Sequence, residues 1–342
     1  MKQLSNNFVT HFVLSLLLIS LFACSSSDDK KSDFTYHTES GEIFHTYFNI
    51  KYEYNRSVKE EIMDALQEFD QSLNPFNENS IIGKVNNNVP VTLDSMFIRV
   101  FEKSMEVSRK TDGKFDITAS PFINAWGFGF KDMDNVTPEM IDSMKSFVGY
   151  DMIRIENGVV VKDDPRVQIN TSGISKGYSC DIVAHLLEDM GVENYMVEIG
   201  GEITMKGTND KGVCWRIGID KPTDDSSAMQ RELQTILSIC DKAVATSGNY
   251  RNYYVKDGVK YSHTIDPQTG YPSEQDVLGA TVIADDCMTA DAYATAFMAM
   301  GVEKSIEVAK IIPGLHYYFI YVKTDGEVAS MFSDEFHQFL VD

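Results

Sequence analysis

The chain lacks several short signatures that would assign it to common classes. No CxxC pair occurs, and no histidine stands at a spacing typical of zinc ligands. No GxGxxG motif follows a strand-like segment either. These absences argue against a structural zinc site and against a Rossmann dinucleotide site.

Basic residues are scarce relative to acidic ones. The sequence has 30 Lys and Arg against 51 Asp and Glu, which gives a formal net charge of −21 at pH 7. So acidic a surface repels nucleic acid, and we therefore expect no nucleic-acid partner. It also repels a dinucleotide, so a phosphate ligand would need a positioned lysine, backbone N–H groups or a metal ion.

An apolar run near the N-terminus is of signal-peptide length. It extends from Phe12 to Phe22, too short to span a bilayer comfortably, and Lys2 precedes it. The run ends in Leu21-Phe22-Ala23-Cys24, which resembles a bacterial lipobox with cleavage before a lipidated cysteine. The alternative is a plain secretory signal with an incidental cysteine.

We therefore predict a lipoprotein signal peptide at residues 1–23, a lipidated Cys24 with a flexible tether at 24–40, and a folded domain at 41–342. The expected location is the periplasmic side of a bacterial membrane. The residue directly after Cys24 is Ser25 and not an aspartate, which slightly favours the outer membrane.

Four further cysteines follow the lipobox: Cys180, Cys214, Cys240 and Cys287. An oxidising compartment permits disulfides among them, with three possible connectivities. Four buried thiols are the alternative.

Hydrophobic periodicity predicts a mixture of helices and strands. The predicted strands are Ile43–Tyr54, Val159–Val161, Tyr195–Ile199, Cys214–Ile219 and Leu233–Ile239, with hairpins around Asp257-Gly258 and Asp325-Gly326. Five helices are predicted. The first carries Val58 to Leu73, and the second begins after Asp94. The others extend from Thr137-Pro138 to near Gly149, from about Lys176 to Met190, and from Ala290 to Met300. Antiparallel hairpins with interspersed helices favour the α+β class over a doubly wound parallel sheet.

A loop of small residues, Thr171 to Gly177, enters a predicted helix and includes Lys176. Small residues let backbone approach a ligand, and a helix N-terminus together with a lysine favours a diphosphate. An ordinary strand-to-helix turn with an exposed lysine is the alternative.

Asp291 and Thr295 lie four residues apart in an alanine-rich predicted helix. Their oxygens therefore share one helix face, and a carboxylate with a hydroxyl suits Mg²⁺, which keeps waters and takes substrate phosphates. The alternative is an aspartate favoured by the helix dipole and a threonine satisfied in the core.

His263 precedes a turn-rich segment, Asp266-Pro267-Gln268-Thr269-Gly270. Histidine can take a proton near neutral pH, although a lone histidine is more often structural or exposed. The aromatic-rich stretch from Lys114 to Gly129 could line a pocket for a flat ring, or could be core.

Together, and in this order, these segments resemble the ApbE family, the periplasmic FAD:protein FMN transferases. The most specific element is His263 before Ile265-Asp266-Pro267 and Thr269-Gly270, followed by Ala290-Asp291-Ala292 and Thr295. Phe44-His45-Thr46, Phe115-Asp116-Ile117-Thr118, Ser172 to Gly177, Glu198 to Glu202 and Ala245 to Arg251 also belong to the resemblance.

The resemblance implies a two-lobed α+β fold of mixed or antiparallel sheets with flanking helices, and FAD between the lobes. It implies Asp291 and Thr295 as Mg²⁺ ligands, with the backbone carbonyl of Gly173, and His263 as the catalytic base. The positions that it implies for FAD are Phe44, Asn74, Pro75, Phe76, Asp116, Lys176 and Ile265.

The implied reaction is Mg²⁺-dependent cleavage of FAD to AMP, with FMN attached through a phosphoester bond to a threonine or serine of an acceptor flavoprotein. The alternatives are an FAD pyrophosphatase that releases FMN and AMP, and a non-enzymatic FAD-binding lipoprotein. The chain departs from common family residues at Phe44-His45, Asn170 and Ser175, but not at Asp291, Thr295 or His263.

Overall fold

The computed structural model describes residues 34–128, 136–221, 233–249 and 264–341, and the backbone of 253–256 and 259–262. The predicted signal peptide, Cys24 and His263 lie outside the described residues. Among the residues that are described, no helix is both long enough and apolar enough to cross a bilayer.

The described strands fall into one large sheet and three two-stranded ribbons. Their bounds are β1 (Thr35–Ile43), β2 (Thr46–Tyr54), β3 (Ile153–Glu156), β4 (Val159–Lys162), β5 (Tyr195–Ile199), β6 (Glu202–Lys206), β7 (Trp215–Asp220), β8 (Leu233–Ile239), β9 (Ala243–Gly248), β10 (Tyr253–Lys256), β11 (Val259–Ser262), β12 (Val277–Ala284), β13 (His316–Val322) and β14 (Val328–Phe332). The large sheet has the order β1-β2-β5-β6-β9-β12-β13-β14, and the ribbons are β3-β4, β7-β8 and β10-β11. Every neighbouring pair runs antiparallel.

The described helices are α1 (Lys59–Leu73), α2 (Ile81–Asn86), α3 (Ser95–Lys110), α4 (Ser120–Ala125), α5 (Pro138–Lys145), α6 (Ser175–Asp189), α7 (Cys287–Met300) and α8 (Val302–Ala309). Four of these helices, α2, α3, α5 and α7, start with a side-chain cap. Asp94 accepts a hydrogen bond from the Phe97 amide at 2.8 Å, and Asp286 accepts one from the Thr289 amide at 2.7 Å. Short 3₁₀ turns cover Tyr150–Met152 and Asp334–Phe339.

The sheet separates two layers. Helices α6 and α7 pack on one face, against residues such as Ile50, Val197 and Val282. On the other face lie the β7-β8 ribbon and the C-terminal 3₁₀ turn, with Trp215 and Phe336 in the packing. This arrangement confirms the predicted α+β class with antiparallel strands.

Helix α7 is the most enclosed element, since every residue in it except Thr295 is buried. A helix that is apolar on all sides belongs in a core. Its alanines allow α6 and the sheet to approach closely. An aspartate at position 291 of such a helix is therefore an exception that calls for a functional or electrostatic reason.

Several predicted boundaries differ from those in the structure. The predicted strand Ile43–Tyr54 is interrupted after Ile43, which ends β1, and β2 starts at Thr46. The interruption occurs because Phe44 and His45 adopt left-handed backbone conformations with φ of 52° and 59°. Two such residues form the tight turn that glycine or asparagine usually provides, so no residue type marked a turn here. Strand β1 begins at Thr35, within the segment predicted as tether, and α5 ends at Lys145 instead of near Gly149.

Two of the four cysteines form a disulfide and the other two are buried thiols, so each predicted alternative holds for one pair. Cys214 and Cys240 form a disulfide with a Cα–Cα distance of 4.8 Å. It joins the start of β7 to the end of β8. Cys180 and Cys287 are buried thiols.

Candidate active site

A cavity of about 800 Å³ lies against the central sheet. Its walls come from segment 114–128, the loop that leads into α6, the turn between β5 and β6, the β7-β8 ribbon, the loop after residue 263, and α7. The volume is in the range of cavities that hold small molecules and cofactors. Of the predicted site residues, six line it: Asp116, Gly173, Lys176, Ile265, Asp291 and Thr295.

Helix α7 presents Asp291 and Thr295 to this cavity. The Asp291 carboxylate accepts a hydrogen bond from the Gly177 amide at 2.9 Å, which joins α7 to the start of α6. Gly177 has to be glycine, because a Cβ there would lie 2.3 Å from the carbonyl oxygen of Cys287. Burial raises the pKa of Asp291, and the Lys176 ammonium and the Gly177 amide oppose that rise.

Gly173 and Thr295 meet directly. The Thr295 hydroxyl donates to the Gly173 carbonyl oxygen at 3.2 Å. A Cβ on Gly173 would lie 2.9 Å from Cγ2 of Thr295, so a larger residue would push this carbonyl away from the hydroxyl. The structure therefore brings the three predicted metal-ligating residues to one corner of the cavity.

The donor set at this corner fits Mg²⁺. It offers a carboxylate, a hydroxyl and a backbone carbonyl, all hard oxygens. No cluster of three or more His, Cys, Asp or Glu residues that could hold a metal occurs in the described part of the chain. With a single carboxylate, such a corner suits an ion that takes its other ligands from water and substrate phosphates.

Lys176 extends from the first turn of α6 toward the turn between β5 and β6. Its ammonium pairs with Oε1 of Glu202, and its side chain is 38% exposed while that of Glu202 is 4% exposed. Although burial disfavours the charge, the Glu202 and Asp291 carboxylates hold the Lys176 pKa above its ordinary value. Lys176 therefore carries a full positive charge at the cavity wall.

The amides at the start of α6 contribute less than the sequence suggests. The Ser175 amide donates to the Thr171 carbonyl at 2.8 Å, and the Gly177 amide donates to Asp291. These donors are already used inside the protein. The Lys176 side chain is therefore the main group in this turn that could bind a phosphate.

Asp116 lies at the cavity but directs its carboxylate into the protein. Its oxygens accept hydrogen bonds from the Thr118 amide and hydroxyl, both at 2.7 Å, and from the Tyr150 amide at 2.8 Å. Burial raises its pKa to about 6 against these hydrogen bonds. The side chain holds the cavity wall together, and its predicted contact with FAD stays a prediction.

The loop from Thr264 to Pro272 forms another wall. Asp266 binds Lys114 at 2.6 Å and the Gln268 amide at 3.0 Å, and Trp126 donates to the Gly270 carbonyl at 2.8 Å. These contacts fix the loop to segment 112–126. The predicted base His263 directly precedes this loop but lies outside the described residues.

Four predicted FAD residues do not line this cavity: Phe44, Asn74, Pro75 and Phe76. Phe44 packs against Phe69 with ring centroids 5.2 Å apart, and the ring centroids of His45 and Phe76 are 6.0 Å apart. Asn74 caps the end of α1 and accepts a hydrogen bond from the Phe76 amide at 2.8 Å. Phe44 and His45 form the tip of the β1-β2 hairpin, and Phe76 lies against His45 there. The roles of Phe44, Asn74, Pro75 and Phe76 toward FAD stay predictions.

A family model described as the ApbE family matches residues 44–319. This chain belongs to the ApbE family.

Individual members of the ApbE family match over most of their length. The FAD:protein FMN transferase of Vibrio cholerae serotype O1 is 38% identical over 314 residues, covering 88% of this chain and 92% of that protein. The FAD:protein FMN transferase of Escherichia coli K12 is 36% identical over 293 residues, covering 83% and 82%. These matches confirm the predicted family and the transferase class.

Solved ApbE structures share the fold. The flavin transferase ApbE from Vibrio cholerae has a TM-score of 0.80 at 35% identity, covering 90% of this chain and all of that chain. The ApbE protein from Thermotoga maritima has a TM-score of 0.79 at 27% identity, with the same coverage.

The structure adds site residues to which sequence reasoning gave no role. Glu202 pairs with Lys176, Lys114 pairs with Asp266, and Arg216 on β7 lines the cavity. Glu202 stands inside a family-like motif and Lys114 directly precedes one, so the motifs contained a signal near both. Arg216 lies in a strand whose position over the cavity depends on tertiary packing, and no local pattern marks it.

Proposed function

We propose that this chain is a Mg²⁺-dependent FAD:protein FMN transferase, which cleaves FAD to AMP and attaches FMN through a phosphoester bond to a threonine or serine of an acceptor flavoprotein. One observation carries the proposal. A single cavity combines Lys176 with the oxygen corner of Gly173, Asp291 and Thr295, and apolar Phe115 and Ile117 also line it. Lys176 and the oxygen corner suit a diphosphate with its metal ion, and the apolar residues suit a flat ring system.

Asp291, Thr295 and the Gly173 carbonyl would hold the Mg²⁺. When bound, the ion neutralises diphosphate charge in an acidic protein and stabilises the AMP leaving group. Lys176 binds the phosphate oxygens. Asp266 holds the loop from Thr264 to Pro272 in place as another wall of the cavity. Positioning and charge stabilisation account for most of the rate in phosphoryl transfer.

The acceptor hydroxyl oxygen attacks the phosphorus on the FMN side in line, and the bond between the two phosphates of FAD breaks. We propose that His263 takes the hydroxyl proton. Its chain neighbours Thr264 and Ile265 line the cavity, which supports this assignment. A His263→Ala variant that transfers flavin at the normal rate at neutral pH would contradict it.

The test is incubation of the purified chain with FAD, Mg²⁺ and an acceptor peptide, followed by mass spectrometry. FMN on the peptide is the expected product. Free FMN with AMP would instead indicate a pyrophosphatase, and intact FAD would indicate a carrier.

Asp291→Ala tests the metal corner. We expect transfer to fall by at least about 10³-fold, since this substitution removes the only side-chain charge in the donor set. Binding of Mn²⁺, followed by electron paramagnetic resonance, should weaken in parallel, while circular dichroism checks the fold. Normal Mn²⁺ binding by a folded variant would contradict the assignment.

We also propose that Cys24 is lipidated and holds the enzyme at the periplasmic side of a bacterial membrane, with the outer membrane slightly favoured. The lipobox-like sequence supports this location. An anchor would raise the effective concentration of the enzyme near membrane-bound acceptors. Cys24→Ala should move the protein from the membrane to the soluble fraction.

A further inference from the structure

Glu202 has one carboxylate oxygen that the protein does not use. The residue begins β6, is 3% exposed and lines the cavity. Its Oε1 accepts from Lys176, whereas Oε2 is buried and has no hydrogen-bond partner. Among the described residues, the other buried side-chain atoms without a partner are Tyr293 OH and His316 Nδ1, and neither residue lines the cavity.

An unpaired oxygen on a buried carboxylate is unfavourable, because burial removes the water that would otherwise bind it. The turn that precedes Glu202 consists of Gly200 and Gly201, with φ of 66° and 99°. Both glycines line the cavity and carry no side chain that could reach the oxygen. No side chain of this turn therefore competes with a ligand for the oxygen.

The chemistry of this oxygen limits its partner. A carboxylate oxygen accepts hydrogen bonds, and an ionised phosphate has no proton to donate. Under the proposed function, on which this inference rests, the neighbouring Lys176 binds the diphosphate of FAD. The donors closest to that diphosphate are the hydroxyls of the ribityl chain on one side and of the ribose on the other.

We infer that Oε2 of Glu202 accepts a hydrogen bond from a sugar or sugar-alcohol hydroxyl adjacent to the ligand's diphosphate. Glu202 is thereby a specificity-determining residue that favours hydroxylated phosphate esters over simple phosphates.

Two effects of removing this carboxylate have opposite signs. Loss of the negative charge frees Lys176 and makes the cavity less repulsive, so any phosphate should bind as well or better. Loss of the acceptor weakens only ligands that carry the hydroxyl. Inorganic pyrophosphate and FAD should therefore respond in different directions.

The experiment measures dissociation constants by calorimetry at fixed Mg²⁺ for the full chain and for Glu202→Gln and Glu202→Met. Glu193→Gln is the matched control, since Glu193 is exposed and outside the cavity. We expect FAD to bind about 5- to 20-fold more weakly to Glu202→Met, because a hydrogen bond to a charged group is lost, and to lose less affinity in Glu202→Gln, whose amide oxygen still accepts. Pyrophosphate should bind equally well or more tightly.

Two further ligands distinguish the hydroxyl sources. A loss confined to FMN indicates the ribityl chain, and a loss confined to ADP indicates the ribose. If the variants fold poorly, the wild-type chain gives the same answer with 2′- and 3′-deoxy ADP and with an FMN analogue whose ribityl hydroxyls are replaced by hydrogen.

The inference is overturned if the variants bind FAD within twofold of wild type, or if pyrophosphate affinity falls as much as FAD affinity. The second result would mean that Glu202 acts only by positioning Lys176. Equal affinity of the wild type for hydroxylated and deoxygenated ligands would overturn it too. If the wild type binds no FAD, the proposed function fails together with the inference, whereas FAD binding that is unaffected by Glu202 substitutions refutes the inference alone.

Discussion

Two lysine–carboxylate pairs lie in the walls of the same cavity, and they differ in how completely the protein satisfies them. In the pair of Lys114 and Asp266, one carboxylate oxygen binds the ammonium and the other accepts from the Gln268 amide. In the pair of Lys176 and Glu202, only one oxygen has a partner. A fully satisfied pair serves the structure, while a half-satisfied pair retains binding capacity for a ligand.

Exposure separates the pairs in the same way. The Lys114 and Asp266 side chains are 12% and 9% exposed, whereas Lys176 is 38% exposed. Lys114 is thus enclosed by the loop that it holds, and Lys176 can turn toward the cavity. Of the two, Lys176 is the cation available to a phosphate.

The largest effect should come from breaking the enclosed pair. Lys114→Met leaves the Asp266 carboxylate buried without its cation, and we expect the free energy of unfolding to fall by about 3–5 kcal/mol. Urea denaturation measures it. The double variant Lys114→Met/Asp266→Leu should regain most of the loss, because an apolar pair needs no charge compensation. A loss under about 1 kcal/mol in the single variant would show that the pair is not structural.

The fold was more predictable from the sequence than the site. Local rules gave the caps of α3 and α5, and the four-residue spacing of Asp291 and Thr295 gave their common helix face. The pairing of Cys214 with Cys240 was not predictable, because it depends on the register that places Trp215 opposite Ile239.

The lysine–carboxylate pairs around the cavity were not predictable from the sequence for the same reason. Lys114 and Asp266 are 152 residues apart in the chain, and Lys176 and Glu202 are 26 apart. Only the packing of helices against the sheet brings them together. The family resemblance supplied Lys176 and Gly173 by position, but it gave no role to their neighbours.

The next largest effect should come from the exposed member of the second pair. Lys176→Met should lower kcat/KM for flavin transfer by about 10²-fold, the loss typical of one charge-stabilising donor. Stability should fall less than in Lys114→Met, since Glu202, whose pKa burial raises to about 7, can take a proton when its cation is removed. Steady-state transfer assays and urea denaturation measure both quantities. A larger loss of stability than of activity would reverse the roles assigned to the two lysines.

The smallest effect concerns pH. Burial raises the pKa of Glu202 from 4.5 to about 7, with the Lys176 ammonium opposing the rise. The folded protein therefore holds this proton more tightly than the unfolded chain does. The stability that results is fully present below about pH 4.5 and is lost as the pH rises through about 7.

Glu202→Gln resembles the protonated side chain and cannot titrate, so its unfolding free energy should match that of wild type at pH 4, below both pKa values. At pH 7.5 the variant should be the more stable protein. Asp116 and Asp181, with pKa values raised by burial to about 6 and about 7, leave a residual slope in both proteins. Urea denaturation without metal or flavin measures the difference, with Glu193→Gln as control. Parallel pH profiles for wild type and Glu202→Gln would mean that Lys176 compensates Glu202 fully, and the contrast with the Lys114 pair would then lie in exposure alone.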